Sequence, residues 1–265
     1  MKTKRIKFLA VAVTLLIGIS FTSCLNSDND GQSTYNMYGR VSSYMGIYYT
    51  LTDINGNTYT PSFSAAETAN EKAIKDILDK SKMVQVSYQL VENSNQTKAT
   101  QAYNIRITGI SSMDGVSPQI IEQDGDPNDS IATASIKSID FTLNNSNYAP
   151  FMFDKDIVIL PISFYLTGTS EMFSQHSFTL VGKIQNTDSN LTFELRHRNG
   201  KDISGNTDAA LLIAYDLSSS LSRFRMVTGH QPSKIIIKTK ENAYSQKLAD
   251  ATDNSFEIDY TKIAQ

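Results

Sequence analysis

Most of this chain alternates apolar and polar residues with a period of two, the signature of half-buried β-strands. In Ile47-Tyr48-Tyr49-Thr50-Leu51-Thr52, Ile47, Tyr49 and Leu51 fall on one face and the polar partners on the other. Met37 to Tyr44 precedes it as a strand, and Asn55-Gly56 follows as a hairpin turn, because both residues tolerate positive φ. Thr58 to Thr60 is the return strand. Then the period changes: Ala66, Ala69, Ala73, Ile74, Ile77 and Leu78 make an apolar stripe at helical spacing. Ser64 with Glu67 three residues later predicts the capping box that starts this helix. Val84 to Leu90 and Tyr103 to Thr108 alternate again, separated by the polar loop Glu92 to Thr100. Three strands, one helix and two strands is the order of a five-stranded OB-type barrel.

Ser111 to Ala132 breaks the alternation. Asp114-Gly115, Pro118 and Asp124-Gly125-Asp126-Pro127-Asn128-Asp129 are turn and linker chemistry, with Ile120-Ile121 expected to dock on a neighbouring surface. Beyond it, seven runs read as strands. They are Ser138 to Leu143, Asp156 to Leu166, Phe178 to Ile184, Leu191 to His197, Ala209 to Leu217, Ile235 to Ile237 and Phe256 to Tyr260. Asp156 to Leu166 is apolar on both faces and so central, although Pro161 demands a bulge or a break in its ladder. The fold class expected is all-β with one short helix: an N-terminal OB-type barrel, then a C-terminal seven-stranded β-sandwich.

The first two dozen residues fit neither period. Lys2, Lys4, Arg5 and Lys7 precede the apolar run Phe8 to Phe21, and Cys24 ends the segment. That is a secretory signal, and its apolar core is shorter than the ~18–20 residues a spanning helix needs. The stretch Phe21-Thr22-Ser23-Cys24 resembles the lipobox of bacterial lipoproteins, which implies cleavage before Cys24 and diacylglyceryl transfer to its sulfur. Cys24 is the single cysteine of the chain, so no internal disulfide can form. Asp28 and Asp30 resemble the acidic surface-export signal of Bacteroidetes lipoproteins; outward and periplasmic orientations both stay open. The expected layout is a signal peptide over 1–23, lipidated Cys24 and a tether to 35, the barrel over 36–112, a linker over 113–132, and the sandwich over 133–265.

Removing the leader's four basic residues leaves 20 Lys+Arg against 27 Asp+Glu, a net charge of about −7. An acidic chain of this kind argues against nucleic acid as a partner. His176, His197 and His230 are far apart in sequence, with no metal-ligand spacing between them. By parity His197 joins Leu195 and Phe193 on an apolar face, which predicts a hydrogen-bonded core or sheet-end histidine. Arg196 and Arg198 fall opposite, with Glu194, as a surface ion pair. There is no Gly-x-Ser-x-Gly elbow and no Gly-rich phosphate loop in the sequence. The acidic run Asp124 to Asp129 lacks the later bidentate Glu of a calcium loop. No catalytic, cofactor-binding or metal residues are therefore expected; the only non-protein group implied is the lipid on Cys24. Parity assigns Tyr49 and Tyr88 to the barrel core and leaves Tyr38 and Tyr48 as ligand contacts.

Leu191-Thr192-Phe193-Glu194-Leu195-Arg196-His197-Arg198-Asn199, and Ala210 to Tyr215 followed by Asp216-Leu217-Ser218, resemble the C-terminal half of NigD-like lipoproteins of Bacteroidetes. The resemblance implies an OB domain followed by a β-sandwich, with no established enzymatic activity. The family's association with a bacteriocin operon implies a role in competition or immunity. Three functions follow as expectations. The first is a non-enzymatic envelope lipoprotein, held on the membrane by its lipid, that binds a protein or glycan partner. The second is a bacteriocin-associated immunity lipoprotein. The third is a glycan hydrolase, which needs two carboxylates ~5–10 Å apart in a cleft.

Overall fold

The computed structural model describes residues 33–91, 102–121 and 132–263. They divide into two compact units, one ending at Asp114 and the other starting at Gly115. Cys24, Asp28, Asp30, the signal segment, the loop Glu92 to Thr100 and the acidic run Asp124 to Asp129 lie outside the described residues.

The first unit contains β1 (Thr34–Tyr44), β2 (Tyr48–Thr52), β3 (Thr58–Pro61), α1 (Ala69–Leu78), β4 (Met83–Leu90) and β5 (Ala102–Ser112). The strands close in the order β1-β2-β3-β5-β4, a five-stranded barrel with the helix between β3 and β4. Closure depends on β1, which pairs with β4 through Thr34–Arg40 and with β2 through Arg40–Tyr44. Gly39 sits next to Arg40, where the strand changes partner; a Cβ there would stand 3.2 Å from Leu51 Cβ, a tight approach that glycine avoids. Tyr49, Leu51, Val84, Val86, Tyr88 and Ile105 fill the barrel, each at most 7% exposed. Asn55-Gly56 makes the expected turn, with Gly56 at φ 80°. The helix begins one turn later than the sequence suggests. Thr68, not Ser64, is the cap, and Glu71, not Glu67, closes the box. Both pairs satisfy the same spacing rule. Glu71 wins because its carboxylate also accepts from Ser64 N and Oγ, at 2.7 Å each. These bonds, first from the Thr68 backbone and then from Ser64, hold Glu71 down at about 2.

The second unit contains β6 (Gln119–Ile120), β7 (Phe141–Leu143), β8 (Ser146–Tyr148), β9 (Phe151–Met152), β10 (Ile157–Leu166), α2 (Ser170–Phe173), β11 (Ser177–Gly182), β12 (Leu191–Arg198), β13 (Thr207–Asp216), α3 (Ser218–Thr228), β14 (Lys234–Glu241) and β15 (Thr252–Asp259). One sheet has the order β13-β10-β9 and the other β15-β14-β12-β11-β6. Val158, Leu160, Ile162 and Phe164 from the first join Leu180, Phe193, Leu195, Ile235 and Ile237 from the second in one buried cluster. The unit is thus a β-sandwich with more strands than the seven expected. The segment read as linker supplies one of them, since β6 pairs with β11 and Ile121 is 3% exposed.

Three further departures have local causes. β10 runs through Pro161 with an unbroken ten-residue register to β13. Ser163 exchanges its backbone bonds with Lys137 and Ser138 on the side away from β13. Pro161, two residues earlier, has the same orientation, so its missing N–H falls on that side. There the ladder is interrupted, because β9 reaches only Val158 and Ile159. Ser138–Leu143 is not one continuous strand: Ser138 bridges to Ser163, and Phe141–Leu143 pairs separately in a hairpin whose turn has Asn144 and Asn145 at φ 49° and 61°. Finally, the sequence reading has one helix and misses α3. Its serine-rich sequence has weak helical propensity. Burial of Leu221 and Phe224 on the core, and Gly229 at φ 81° as the C-cap, hold it instead.

Candidate functional site

Among the described residues, both units gather chemistry-bearing side chains. The first such place lies at one end of the sandwich. β11 and β12 pair with Phe178 opposite His197. His176 is two residues before Phe178 and therefore shares its inward face. The register thus brings His176 and His197 together, which their separation of 21 residues concealed: His176 Nδ1 lies 2.8 Å from His197 Nε2. After β12 a turn closed by Asp202 N and Asn199 O brings Asp202 back, 3.0 Å from His176 Nε2. The aromatic rings around them are Phe178, stacked on His197 at 4.6 Å, and Phe164, 4.9 Å from His176.

This array is sealed. The His176 and Asp202 side chains are each 1% exposed, and His197 is 1% exposed. Burial works to raise the Asp202 carboxyl. Bonds from Thr167 Oγ1 and Thr167 N, both 2.7 Å, together with His176, overcome it and hold Asp202 below the usual carboxylate range. Burial pushes His197 down to about 4, despite the carbonyl of Ser135 2.8 Å from its Nδ1. These environments assign the protons. Ionised Asp202 only accepts, so His176 donates to it from Nε2. His197 donates from Nδ1 to Ser135 O and, being neutral, accepts at Nε2. His176 thus bridges the two, its Nδ1 toward His197 Nε2 at 2.8 Å and its Nε2 toward Asp202 Oδ2 at 3.0 Å. A second ring of bonds supports the first: Asn199 Nδ2 donates to Asp202 O at 2.8 Å and to Gln246 Oε1 at 2.7 Å, and Gln246 Nε2 donates to Tyr165 O at 2.7 Å.

The arrangement superficially resembles a catalytic relay, but it has no face open to a substrate, and its hydrogen-bonding atoms are engaged with one another. His197 is the hydrogen-bonded core histidine that its parity implied. Among the described residues, no group of three or more His, Cys, Asp or Glu side chains is placed to hold a metal ion. His230 stays apart, bonded to Gln231 O at 2.9 Å.

A shallow groove of about 490 Å³ opens on the outer face of the larger sheet, lined by Glu194, Lys238, Thr239, Lys240, Asp253, Asn254 and Ser255. Its acids are matched by bases: Lys240 lies 2.6 Å from Asp253, and Glu194 takes Arg196 at 3.1 Å, the surface pair expected from sequence.

The other place is the turn between β1 and β2 of the barrel. Tyr48, one of the two tyrosines held open for a ligand, is 68% exposed here. Tyr38, the other, is half-buried on β1 and has partners of its own, so the two do not form one surface feature at the tip. Tyr48 is joined instead by Tyr44, its cross-strand partner, and by Met45 and Ile47, exposed 64%, 75% and 65%. Ile47 is a correction: parity put it on the inner face with Tyr49 and Leu51, but β2 begins only at Tyr48. Met45 and Gly46, at φ 56° and 64°, turn the chain, and Ile47 N bonds Tyr44 O to close it. The sequence signal available was a charge-free run from Val41 to Thr52 that crosses a turn.

No family model matches the chain, and no curated protein matches it. Solved structures do. A protein of Bacteroides fragilis named as a lipoprotein superposes with a TM-score of 0.72 at 23% identity, over 86% of this chain and 98% of its own. A protein of unknown function from Bacteroides vulgatus gives 0.53 at 12% identity, over 86% and 90%. A NigD-like immunity protein from Bacteroides caccae gives 0.50 at 12% identity, over 88% and 99%. At such identities the likeness is one of fold. It extends the resemblance to the NigD-like layout across both units.

Proposed function

We propose that this chain is a lipid-anchored envelope protein of the NigD-like kind that acts by binding a protein or glycan partner and carries out no reaction of its own. The observation behind this reading is the sandwich array. Among the described residues, the constellation with the residue types of an acid–base site spends them on each other, behind Phe164 and Phe178, at about 1% exposure. The described carboxylates with shifted pKa values, Glu71, Asp202 and Asp259, are all moved down, whereas a glycosidase's general acid must be moved up. The groove's base-paired acids also suit a surface better than a cleft for sugar hydrolysis.

The anchor is the lipid on Cys24. One acyl chain holds weakly and two or three hold firmly, at roughly 0.8 kcal/mol per buried CH₂. Growth with labelled fatty acid should label the wild-type protein, and Cys24→Ala should abolish the label and release the chain from the membrane fraction. Labelling that survives the substitution overturns the anchor. Asp28 and Asp30 direct the domain outward in this reading. Added protease should then remove it from intact cells, and changing both residues to Ala should protect it without loss of label. Cleavage only after lysis would place it in the periplasm.

The name of the Bacteroides caccae neighbour supports a second, narrower reading, in which the partner is a bacteriocin and the chain confers immunity. Deleting the gene should sensitise cells to that toxin; unchanged sensitivity rules the reading out.

A further inference from the structure

The turn between β1 and β2 displays what a soluble domain normally hides. We propose that this hairpin tip is a shallow membrane contact, with Tyr44, Met45, Ile47 and Tyr48 entering the interfacial layer of the bilayer to which the chain is tethered. The proposal rests on the anchor reading above for the presence of that bilayer, and on the barrel alone for the contact.

Four observations point to lipid. All four side chains are at least 64% exposed, and they project from a narrow convex turn, not a groove. A fluid lipid layer conforms to such a tip, whereas a folded partner would need a matching apolar pocket. No charged residue occurs from Val41 to Thr52; the carboxylate beside the turn, Asp79, is held by the Tyr49 hydroxyl at 2.7 Å, behind Gly46, so a shallow entry of the four tip side chains buries no charge of their own. Tyrosine is the residue that settles at headgroup depth, apolar on its ring and polar at its tip. The turn also satisfies much of its own backbone, as low-polarity surroundings require. Ile47 N donates to Tyr44 O at 3.2 Å, and the Tyr49 hydroxyl lies between Gly46 O at 2.9 Å and Asp79 Oδ1 at 2.7 Å, either of which can take its one proton.

Met45 adds a cost that folding does not explain. It holds φ at 56°, a conformation in which Asn or Gly is far less strained. Retaining an apolar side chain there serves display. The tether permits the contact. From Cys24 to Thr34 ten residues reach at most ~33–36 Å, and β1, the eleven residues from Thr34 to Tyr44, spans about 33 Å. Any tilt that brings the tip to the surface keeps Thr34 within reach of the lipid. Two attachments at opposite ends of β1 would fix how the barrel faces the membrane.

The chain has no tryptophan, which makes a clean depth probe possible. The mature, unlipidated chain (Cys24→Ser) carrying Ile47→Trp is mixed with vesicles of phosphatidylethanolamine and phosphatidylglycerol containing brominated acyl chains. Its emission should shift to the blue and be quenched. Tyr244→Trp, at a position 92% exposed in the other unit, should do neither. Because tryptophan itself favours the interface, the second measurement uses native side chains. Flotation of the Cys24→Ser chain with the same vesicles should fall at least about tenfold when Met45→Ser and Ile47→Ser are added, with the melting transition unmoved. Unchanged emission from the Ile47→Trp chain at saturating lipid overturns the proposal. So does equal flotation of the native-tip and double-serine chains, or failure of the native tip to float while it cross-links to an envelope protein. Fatty-acid labelling tests the tether separately, so a failed anchor and a failed tip are told apart.

Discussion

The sandwich buries three ionisable side chains, His176, His197 and Asp202, while the barrel leaves four apolar ones, Tyr44, Met45, Ile47 and Tyr48, in solvent. Each region reverses the ordinary rule of partition, and the costs differ. A buried charge is tolerated only when paired and hydrogen-bonded, so the sandwich gives the Asp202 carboxylate bonds from Thr167 and His176 and backs the array with Ser135, Asn199 and Gln246. An exposed apolar side chain costs the fold little, because it was equally exposed in the unfolded chain. The buried exception therefore governs stability, and the exposed one is free to serve an interaction. Perturbing the first should unfold the protein; perturbing the second should leave it folded and change what it touches.

The largest effect expected is from Asp202→Ala. It leaves His176 Nε2, Thr167 N and Thr167 Oγ1 without their shared acceptor. Removing one partner of a buried pair costs about 3–5 kcal/mol, measurable as a lowered urea midpoint. A loss under about 1 kcal/mol would mean the array contributes little and the contrast between the regions fails.

Acid should act on the same region in two steps. The unfolded chain protonates His197 near 6.5 and the folded chain only near 4. The unfolded state then binds more protons between these values, so stability falls as pH falls through that window, by up to about 1.4 kcal/mol per pH unit. Asp202, held below its usual range, contributes stability present above the unfolded carboxyl pKa and lost as pH drops through the folded one. Urea melts from pH 7 down to 4.5 should show the first step, and His197→Gln should flatten it. A wild-type profile already flat would show that His197 is not held neutral.

Asn199→Ala sharpens the comparison at the outer ring of bonds. It removes the Asn199 Nδ2 bond from Gln246 Oε1 and from the Asp202 carbonyl and should cost roughly 1–3 kcal/mol, less than Asp202→Ala because the buried carboxylate and its three donors stay in place. At the tip, Met45→Ser with Ile47→Ser should move stability by no more than about 0.5 kcal/mol. A cooperative melt that drops by several degrees would mean the tip packs against something within the chain and is not a free surface.

Local pattern carried the sequence reading a long way. Alternation located the barrel strands and the faces of Tyr49, Leu51, Tyr88 and His197, and the break in period located α1. All of these are consequences of backbone geometry within a dozen residues. The same rules are degenerate where two local solutions are equally good. Ser64 with Glu67 and Thr68 with Glu71 both make a capping box, and only the reach of Glu71 back to Ser64 separates them. Local rules are silent where packing supplies the stability, as for α3, which Leu221 and Phe224 hold against the core despite its serines.

What the sequence by itself determined is the all-β composition and the strand faces, because each depends on residues close along the chain. What only the tertiary structure decided is which residues meet. His176 and His197 become neighbours through the register of β11 on β12, and Asp202 through a turn that folds back to the end of β10. Ile47 left the core face because a left-handed turn at Met45 and Gly46 starts β2 one residue later than alternation implied. Register and turn geometry are set by long-range pairing, and a period of two read along a single strand contains neither.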